Sequence, residues 1–405
     1  MAPRLPVPSD SGAKIRTFNL IKQLSVFAKV TLLTFDFEGK KRVPEALQEL
    51  GIDTVTLRAS EKTNPFFLFS KKPFSIRKYY SIVLCQKIRE LIVKDKYDLV
   101  HFDHIHTAQY INDINDIPSV IDEHNIEFKI LERCVNPESN IFKKLIFKQQ
   151  ASKMSKFEAS IATEASCCLT VSELDKVELL KLAHNNVKVE IIPNGVDTDY
   201  FSSAQKTDNK LLGLKEDALV FTGSMDWLPN SDAVEYFCAD ILPLIWQKKP
   251  ETKFYVVGKN PPEKIKKLGH KDKRIIITGM VSDVRPFIIK SKVFVVPLRI
   301  GGGTRLKILE ALSMQKAVVS TTIGAEGIDI IDGRHILLAD KPKDFSNKVI
   351  SLLEDLELTN NLGKQGRKLV LEKYDWQIIG KSLLEIYRQI ISNYRASDPM
   401  GNKNV

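Results

Sequence analysis

The sequence predicts an α/β protein of two doubly wound domains, and three observations carry that expectation. Its 405 residues exceed the length at which one hydrophobic core keeps growing, so two domains are the default. Short β-branched apolar runs alternate with helical periods from end to end, the pattern of parallel strands covered by helices. Hydrophobic content of 43% and charged content of 27% are globular values, with no Pro-rich, Gly/Ser-rich or repeated tract between the runs.

Taken in order, the chain opens on a loop, PRLPVPSDSG, and the first helix is expected from Ser11 or Gly12. Strands follow at 29–35, 97–102, 118–122, 167–172 and 187–193. Asn194 and Gly195 make a tight-turn pair and the polar SSAQKTDNK stretch reads as a linker, which places the first domain at 1–205. In the second half strands are expected at 218–223, 253–258, 274–279, 293–298 and 317–322, most ending in Gly, Pro or Thr. The helical stretch SDAVEYFCADILPLIW takes Ser231 as its N-cap. One element is not found. A doubly wound domain should open with a buried strand that delivers its first loop, so either the natural start lies upstream of Met1 or this sheet lacks a central strand.

Composition narrows the function classes. MAPRLPVPSDSG contains no apolar core of a signal peptide, and no run is long enough to cross a bilayer, which predicts a cytoplasmic protein. Five cysteines without CxxC or metal spacing read as buried thiols. A net charge of +10 suits nucleic acid, an anionic membrane or a phosphorylated substrate. Zinc-finger spacing, RNP aromatics and a basic heptad helix are all missing, so nucleic acid is not an expected partner. Two stretches, 64–80 and 142–157, interleave Phe and Tyr with Lys and Arg. That pattern fits a helix with a buried aromatic side, or a peripheral contact with the inner face of the cytoplasmic membrane.

The most informative segment is RIGGGTRLKILEAL, from Arg299 to Leu312. Main-chain N–H groups at a helix start, unhindered by side chains at Gly301, Gly302 and Gly303, make an anion site. The spacing is neither that of a P-loop nor of a G-x-G-x-x-G dinucleotide turn. Arg305 and Lys307 add fixed positive charge, so a diphosphate fits better than a single phosphate. Glu310 follows one turn later, where it can accept hydrogen bonds from a ribose or simply pair with Lys307 on a solvated face.

This order of Gly-rich turn, basic pair and helical Glu, followed by SMQKAVVSTTIGAEGI and DGRHILLA, resembles the carboxy-terminal half of the GT-B glycosyltransferases of retaining family 4. IPNGVD, FTGSMDWLPNSDAVEYF and PSDSGAKIRTFNLIKQLS resemble the same family, in its branch for bacterial cell-surface polysaccharides. The resemblance implies two Rossmann-like domains facing across a cleft. It places the nucleotide-sugar domain at 206–375 and a helix at 376–395 crossing back to the first domain. It implies that Gly12, Ser224, Val281, Gly302, Gly303, Thr304, Arg305, Lys307 and Glu310 bind the donor, with the ribose on Glu310 and the base beside Val281. His124 and Glu310 are the candidate catalytic residues, His124 lying near the transferred sugar. Two departures stand out. The first acid of the family's two-Glu motif is replaced by Gly302, and Ser224 and Asn230 stand where many members carry an Arg and a Lys, a charge that Arg305 and Lys307 would take over.

The function so implied is retaining transfer of a sugar from a nucleotide diphosphate to a glycan or lipid-linked acceptor. The donor is a substrate; no cofactor or metal is required. In such a transfer the enzyme stabilises charge developing on the leaving phosphate, the phosphate itself takes the acceptor's proton, and His124 positions the sugar. HFDHIH is not read as a metal site, since His101 and Asp103 share one strand face and His104 the other. The DTD of Asp197 to Asp199 falls in a turn and is read as a chance match to metal-dependent transferases. The alternatives are a GT-B nucleotide-sugar 2-epimerase and a non-catalytic nucleotide-sugar-binding subunit, the latter favoured by the missing strand and by Gly302.

Overall fold

The computed structural model describes residues 1–37, 39, 43–58, 70–114, 117–135, 140–202, 216–301 and 303–397. They form two compact units, Met1–Pro193 with Ile379–Val405, and Asn194–Ile378. The break therefore falls at Asn194 rather than near 205. The cause is local: the Val196 amide donates to Tyr374 O (2.8 Å), the Trp376 amide to Val196 O (3.4 Å), and the Thr198 hydroxyl to Asp375, all within the second unit. Thr198 of the DTD turn thus has a structural job. The polar linker stretch lies, from residue 203, outside the described residues.

In the first unit β1 (Thr31–Asp36) pairs in parallel with β2 (Asp53–Arg58). A second parallel sheet runs β3 (Val100–Asp103), β4 (Ser119–Glu123), β5 (Cys167–Thr170) and β6 (Val189–Ile191). Among the described residues, Met1 and Ala2 bridge the facing edges of β1 and β3. The Met1 ammonium donates to His101 O (2.6 Å), the Asp103 amide to Met1 O (2.8 Å) and the Ala2 amide to Leu33 O (2.9 Å). Helix α1 (Gly12–Leu24) follows, with Ser11 at its N-cap. Further on come α2 (Ile82–Lys94) and α3 (Ile141–Glu164).

The second unit holds one six-stranded sheet of β7 (Glu216–Thr222), β8 (Lys253–Val257), β9 (Ile275–Gly279), β10 (Ser291–Val296), β11 (Ala317–Ser320) and β12 (Leu337–Leu338). The order β12-β11-β10-β7-β8-β9 is parallel throughout. From β7 the chain runs outward through β8 and β9, then returns to build β10, β11 and β12 on the other side. The loops after β7 and β10 diverge at that reversal, which opens the crevice where α/β sheets bind ligands. Phe221, Phe237, Phe254, Phe294 and Phe345 fill the core around the sheet.

The helix expected from Ser231 begins earlier, at Leu228, with Trp227 as N-cap. Ser231 Oγ donates back to Leu228 O at 3.1 Å. Pro243 has no N–H to continue the ladder, and a wider π turn at Phe237–Ile241 absorbs the defect before the helix resumes at Leu242–Trp246. The five thiols are free; Cys167 and Cys168 are buried, whereas Cys85, Cys134 and Cys238 are half-buried. The final helix, α5 (Trp376–Ser397), buries Ile379, Leu383, Tyr387 and Ile390 along one face. No helix among the described residues is long and apolar enough to cross a membrane.

Candidate active site

Two polar clusters stand out, one in each unit. That of the second unit sits where β7 and β10 diverge. Helix α4 (Leu306–Ser313) follows β10 and buries Ile308, Leu309 and Leu312 against the sheet, so Lys307 and Glu310 rise along its other side. Lys307 reaches over the Phe221 ring, with Nζ 4.0 Å from the centroid, and donates to Asn230 Oδ1 at 2.8 Å. Asn230 Nδ2 in turn donates to Ser224 O at 2.8 Å. The chain passes so close beneath that a Cβ on Gly223 would lie 2.8 Å from Lys307 Nζ. Burial, with Arg305 acting in the same direction, pushes Lys307 down to about 7. Burial likewise pushes Glu310 up to about 7, with Lys307 opposing it. No ion pair within 4.0 Å joins Lys307 to Glu310 among the described residues, so the simple exposed pair is not what forms.

The glycine run differs from its expected place. It is not the first turn of the helix; α4 starts at Leu306, with Arg305 as an extended N-cap (ψ 92). The Arg305 guanidinium folds back onto Gly303 O and lies across Gly301, where a Cβ would come within 2.5 Å of Nη2. Gly301 (φ 142) and Gly303 (φ 72) adopt conformations that disfavour a side chain. Gly302 lies outside the described residues. Of the remaining donor candidates, Thr304 Oγ1 makes a long bond to Gly327 O (3.5 Å), Ser224 Oγ donates to Asp226 (2.5 Å), and Val281 is half-buried against the core. Gly12 belongs to the first unit, as the exposed first residue of α1.

The first-unit cluster is built at the ends of β3 and β4. Arg16, from α1, grips Asp122 with two bonds, Nε to Oδ2 (2.8 Å) and Nη2 to Oδ1 (2.7 Å), and donates through Nη1 to Pro193 O (3.0 Å). Both side chains are fully buried. His124 Nε2 meets Asp103 Oδ1 at 2.9 Å, and Thr17 Oγ1 donates to Asp103 Oδ2 at 2.8 Å. Burial alone would lower the His124 pKa, but Asp103 and Asp122 outweigh it and hold the ring up at about 9. His124 is therefore an imidazolium at neutral pH. Its buried Nδ1 has no hydrogen-bond partner among the described residues, leaving one N–H donor to offer. Sequence reasoning missed Glu123, which points to the opposite face of β4. Its two oxygens are buried without hydrogen bonds among the described residues, and burial, with Glu158 beside it, pushes its pKa well up.

The HFDHIH run corrects a second expectation. His104 has φ 75, which turns its ring out of strand alternation. Its Nδ1 sits 2.7 Å from His106 Nδ1, and its ring centroid 5.1 Å from that of His124. The histidines do converge. His101, Asp103 and Asp122 place ligand atoms within 4.8 Å of one another. They do not fit a cation, because a guanidinium already occupies Asp122 and an imidazolium Asp103. His101 Nδ1 is engaged by Tyr387 OH at 2.5 Å.

Comparison with known proteins agrees with this architecture. Residues 11–200 match the family model described as Glycosyltransferase Family 4, and residues 216–355 that described as Glycosyl transferases group 1. A UDP-Gal:alpha-D-GlcNAc-diphosphoundecaprenol alpha-1,3-galactosyltransferase of Escherichia coli is 24% identical, covering 79% of this chain and 85% of that protein. An uncharacterized 44.6 kDa protein in the cps region of Klebsiella pneumoniae is 20% identical, covering 74% and 76%. A glycosyltransferase structure from Rickettsia africae superposes with TM-score 0.71 at 19% identity, over 97% of this chain and 98% of that one, and so shares the fold. The parallel sheets, the two matched families and the relatives together place this chain among the GT-B glycosyltransferases, in family 4.

Proposed function

We propose that the protein is a retaining glycosyltransferase that moves a sugar, a hexose or a related residue, from a nucleotide diphosphate to a glycan or lipid-linked acceptor in cell-surface polysaccharide synthesis. One observation carries the reading: Lys307 Nζ, reaching from α4 across Phe221 to Asn230 and Gly223, puts a buried cation at the crevice where the family's phosphate ligands are expected. It supports the idea that Lys307 takes over the charge missing at Ser224 and Asn230. The relative from Escherichia coli, named for UDP-Gal and a diphosphoundecaprenol acceptor, makes that donor and acceptor class the first to try.

In this reading the second unit does the electrostatic work. Lys307, Arg305 and the amides of the glycine run stabilise charge as the diphosphate leaves, a role in which one donor typically contributes about 10²-fold in rate. Glu310, when ionised, accepts from the ribose hydroxyls, and Val281 lies beside the base. Gly12 lets the amino-terminal loop approach. In the first unit His124, protonated and with Nδ1–H to offer, binds a sugar hydroxyl. An imidazolium with a pKa near 9 cannot act as a base at neutral pH, so the acceptor's proton passes to the leaving phosphate. No metal takes part in this scheme.

We place the enzyme in the cytoplasm, with a peripheral contact to the membrane's inner face. The first turns of α3 support that contact, exposing Ile141, Phe142 and Leu145 beside Lys143, Lys144 and Lys148. Of the other basic aromatic stretch, residues 64–69 lie outside the described residues. The test is thermal stabilisation by UDP-, GDP-, ADP- and dTDP-sugars, on the natural sequence and on Glu310→Ala. One nucleotide class should stabilise the former, by about 2.7 kcal/mol at a hundredfold excess over Kd, and not the latter. If no nucleotide-sugar stabilises the folded protein, the donor assignment is wrong.

A further inference from the structure

At the carboxy-terminal ends of β3 and β4 the first unit carries polar groups that the donor scheme leaves unused. His104 has φ 75 and ψ 141, a conformation that residues with a side chain rarely adopt, and it is pinned from both sides. Its amide donates to Asp122 O at 3.0 Å, and the Thr107 amide and hydroxyl both donate to its carbonyl at 3.0 Å. The twist places the His104 ring between two partners: His106, Nδ1 to Nδ1 at 2.7 Å, and Glu127, whose Oε1 lies 3.5 Å from Nε2.

Glu127 is fixed from behind. It opens the helix Glu127–Val135, and the Glu158 carboxyl accepts from the amides of Glu127 (2.7 Å) and Phe128 (3.1 Å). Its own side chain is 17% exposed, and its carboxyl meets no hydrogen-bond donor within 3.4 Å among the described residues. Burial pushes it up to about 7, with the His124 charge opposing. The two imidazoles extend this acceptor character. Burial, helped by neighbouring positive charge, holds His104 well below its ordinary value and His106 at about 4, so both rings are neutral. Two neutral rings in contact through nitrogen require one to donate to the other. With the His104 Nε2–H turned to Glu127, His106 is that donor, and its Nε2 is left as an acceptor on a half-buried ring. Next to His106 the surface becomes aromatic: the Tyr79 ring lies 5.2 Å from it, and Phe37 packs edge-on to Tyr79 at 5.8 Å, both half-buried.

We propose that Glu127 and His106 recognise the acceptor of the transfer, binding hydroxyls of a saccharide that packs on Tyr79, with His104 as the positioning residue between them. This rests on the glycosyltransferase reading above and narrows its acceptor to one that ends in a sugar, as against a bare lipid phosphate. Groups that can only accept hydrogen bonds select hydroxyls, and a carboxylate repels a phosphate. An aromatic face beside them suits the C–H faces of a pyranose.

The experiment titrates protein carrying ¹⁵N-labelled imidazoles with p-nitrophenyl glycosides of glucose, galactose, mannose, rhamnose and N-acetylglucosamine, and separately with decyl phosphate. At least one glycoside should shift the His104 and His106 ring resonances saturably, and decyl phosphate should leave both unmoved. Glu127→Ala should weaken the bound glycoside tenfold or more, and Tyr79→Leu, which leaves the carboxyl in place, by about fivefold. Rings unmoved by every glycoside, rings shifted by decyl phosphate, or undiminished affinity in whichever of the two variants melts cooperatively would each overturn the proposal. Stabilisation by a nucleotide-sugar with silent rings would sink this inference alone; glycoside shifts without nucleotide-sugar stabilisation would sink the donor assignment alone.

Discussion

Donor affinity should follow a bell-shaped pH profile set by two groups on α4. If Lys307 meets the diphosphate as a cation and Glu310 the ribose as a carboxylate, as proposed, both must be in their charged forms, yet both titrate at about 7 in the free protein. Near pH 7 each is half in its useful form, and moving one unit either way lowers the doubly correct fraction by about threefold. The variants separate the limbs. In Glu310→Gln only Lys307 titrates, so affinity should fall about tenfold between pH 6 and pH 8. In Lys307→Arg the cation is permanent, and affinity should instead rise about tenfold over the same interval. Calorimetric titration with a nucleotide-sugar reads this directly, and avoids free nucleoside diphosphate, whose terminal phosphate itself titrates near pH 6. The same titration in buffers of different ionisation enthalpy should show proton uptake on binding to Glu310→Gln at neutral pH. A flat profile in all three proteins would refute the assignment of both groups.

Other consequences concern the first unit and the β7 turn. His124 has a folded pKa near 9 against an ordinary 6.5, so its stabilisation is complete below 6.5 and disappears as pH rises through 9. The shift corresponds to about 3 kcal/mol in all, and Asp103→Asn, which removes the larger of the two carboxylate contributions and leaves Asp122, should abolish a large part of it, read as the difference in urea midpoints between the two proteins across the interval. Arg16→Leu leaves Asp122 buried without its guanidinium and should cost about 3–5 kcal/mol in chemical denaturation. Gly258→Ala would set a Cβ 1.7 Å from Gly223 O at φ +155. A loss of more than about 3 kcal/mol is expected, and a variant as stable as its parent would show the β7 and β8 turns to be further apart.

Much of this was legible in the chain because β7, β8, β10 and β11 of the second unit are largely apolar runs buried on both faces, and such runs are hard to mistake. β2 escaped notice for the opposite reason: DTVTLR is a half-exposed edge strand with no apolar run. Lys307 and Glu310 could be read from their spacing along one helix. The Phe221 platform and the Asn230 partner could not, since the first lies 86 residues before Lys307 and the second 77. The His104 backbone twist carries no signal in a sequence, and so alternation put that ring on the wrong face. Likewise the protonation of His124 depends on a carboxylate 21 residues away, brought beside it by the pairing of β3 with β4.

On the proposed reading, the positions at which this chain departs from the pattern it resembles also alter how the donor site is charged. In that reading Gly302 stands where the resemblance expects an acid, and Ser224 and Asn230 where it expects two cations at the β7 turn. What remains at that turn is one lysine, kept near its midpoint by burial over an aromatic ring. Such a group is cheap to hold in the empty protein, because it is half neutral, and it becomes fully charged when an anion arrives. Binding energy from the diphosphate is then partly spent on recruiting a proton, which moderates donor affinity. The same proton strengthens the cation as negative charge gathers on the leaving phosphate. A lysine tuned in this way favours the departing diphosphate over the resting donor, which is the difference a catalyst needs.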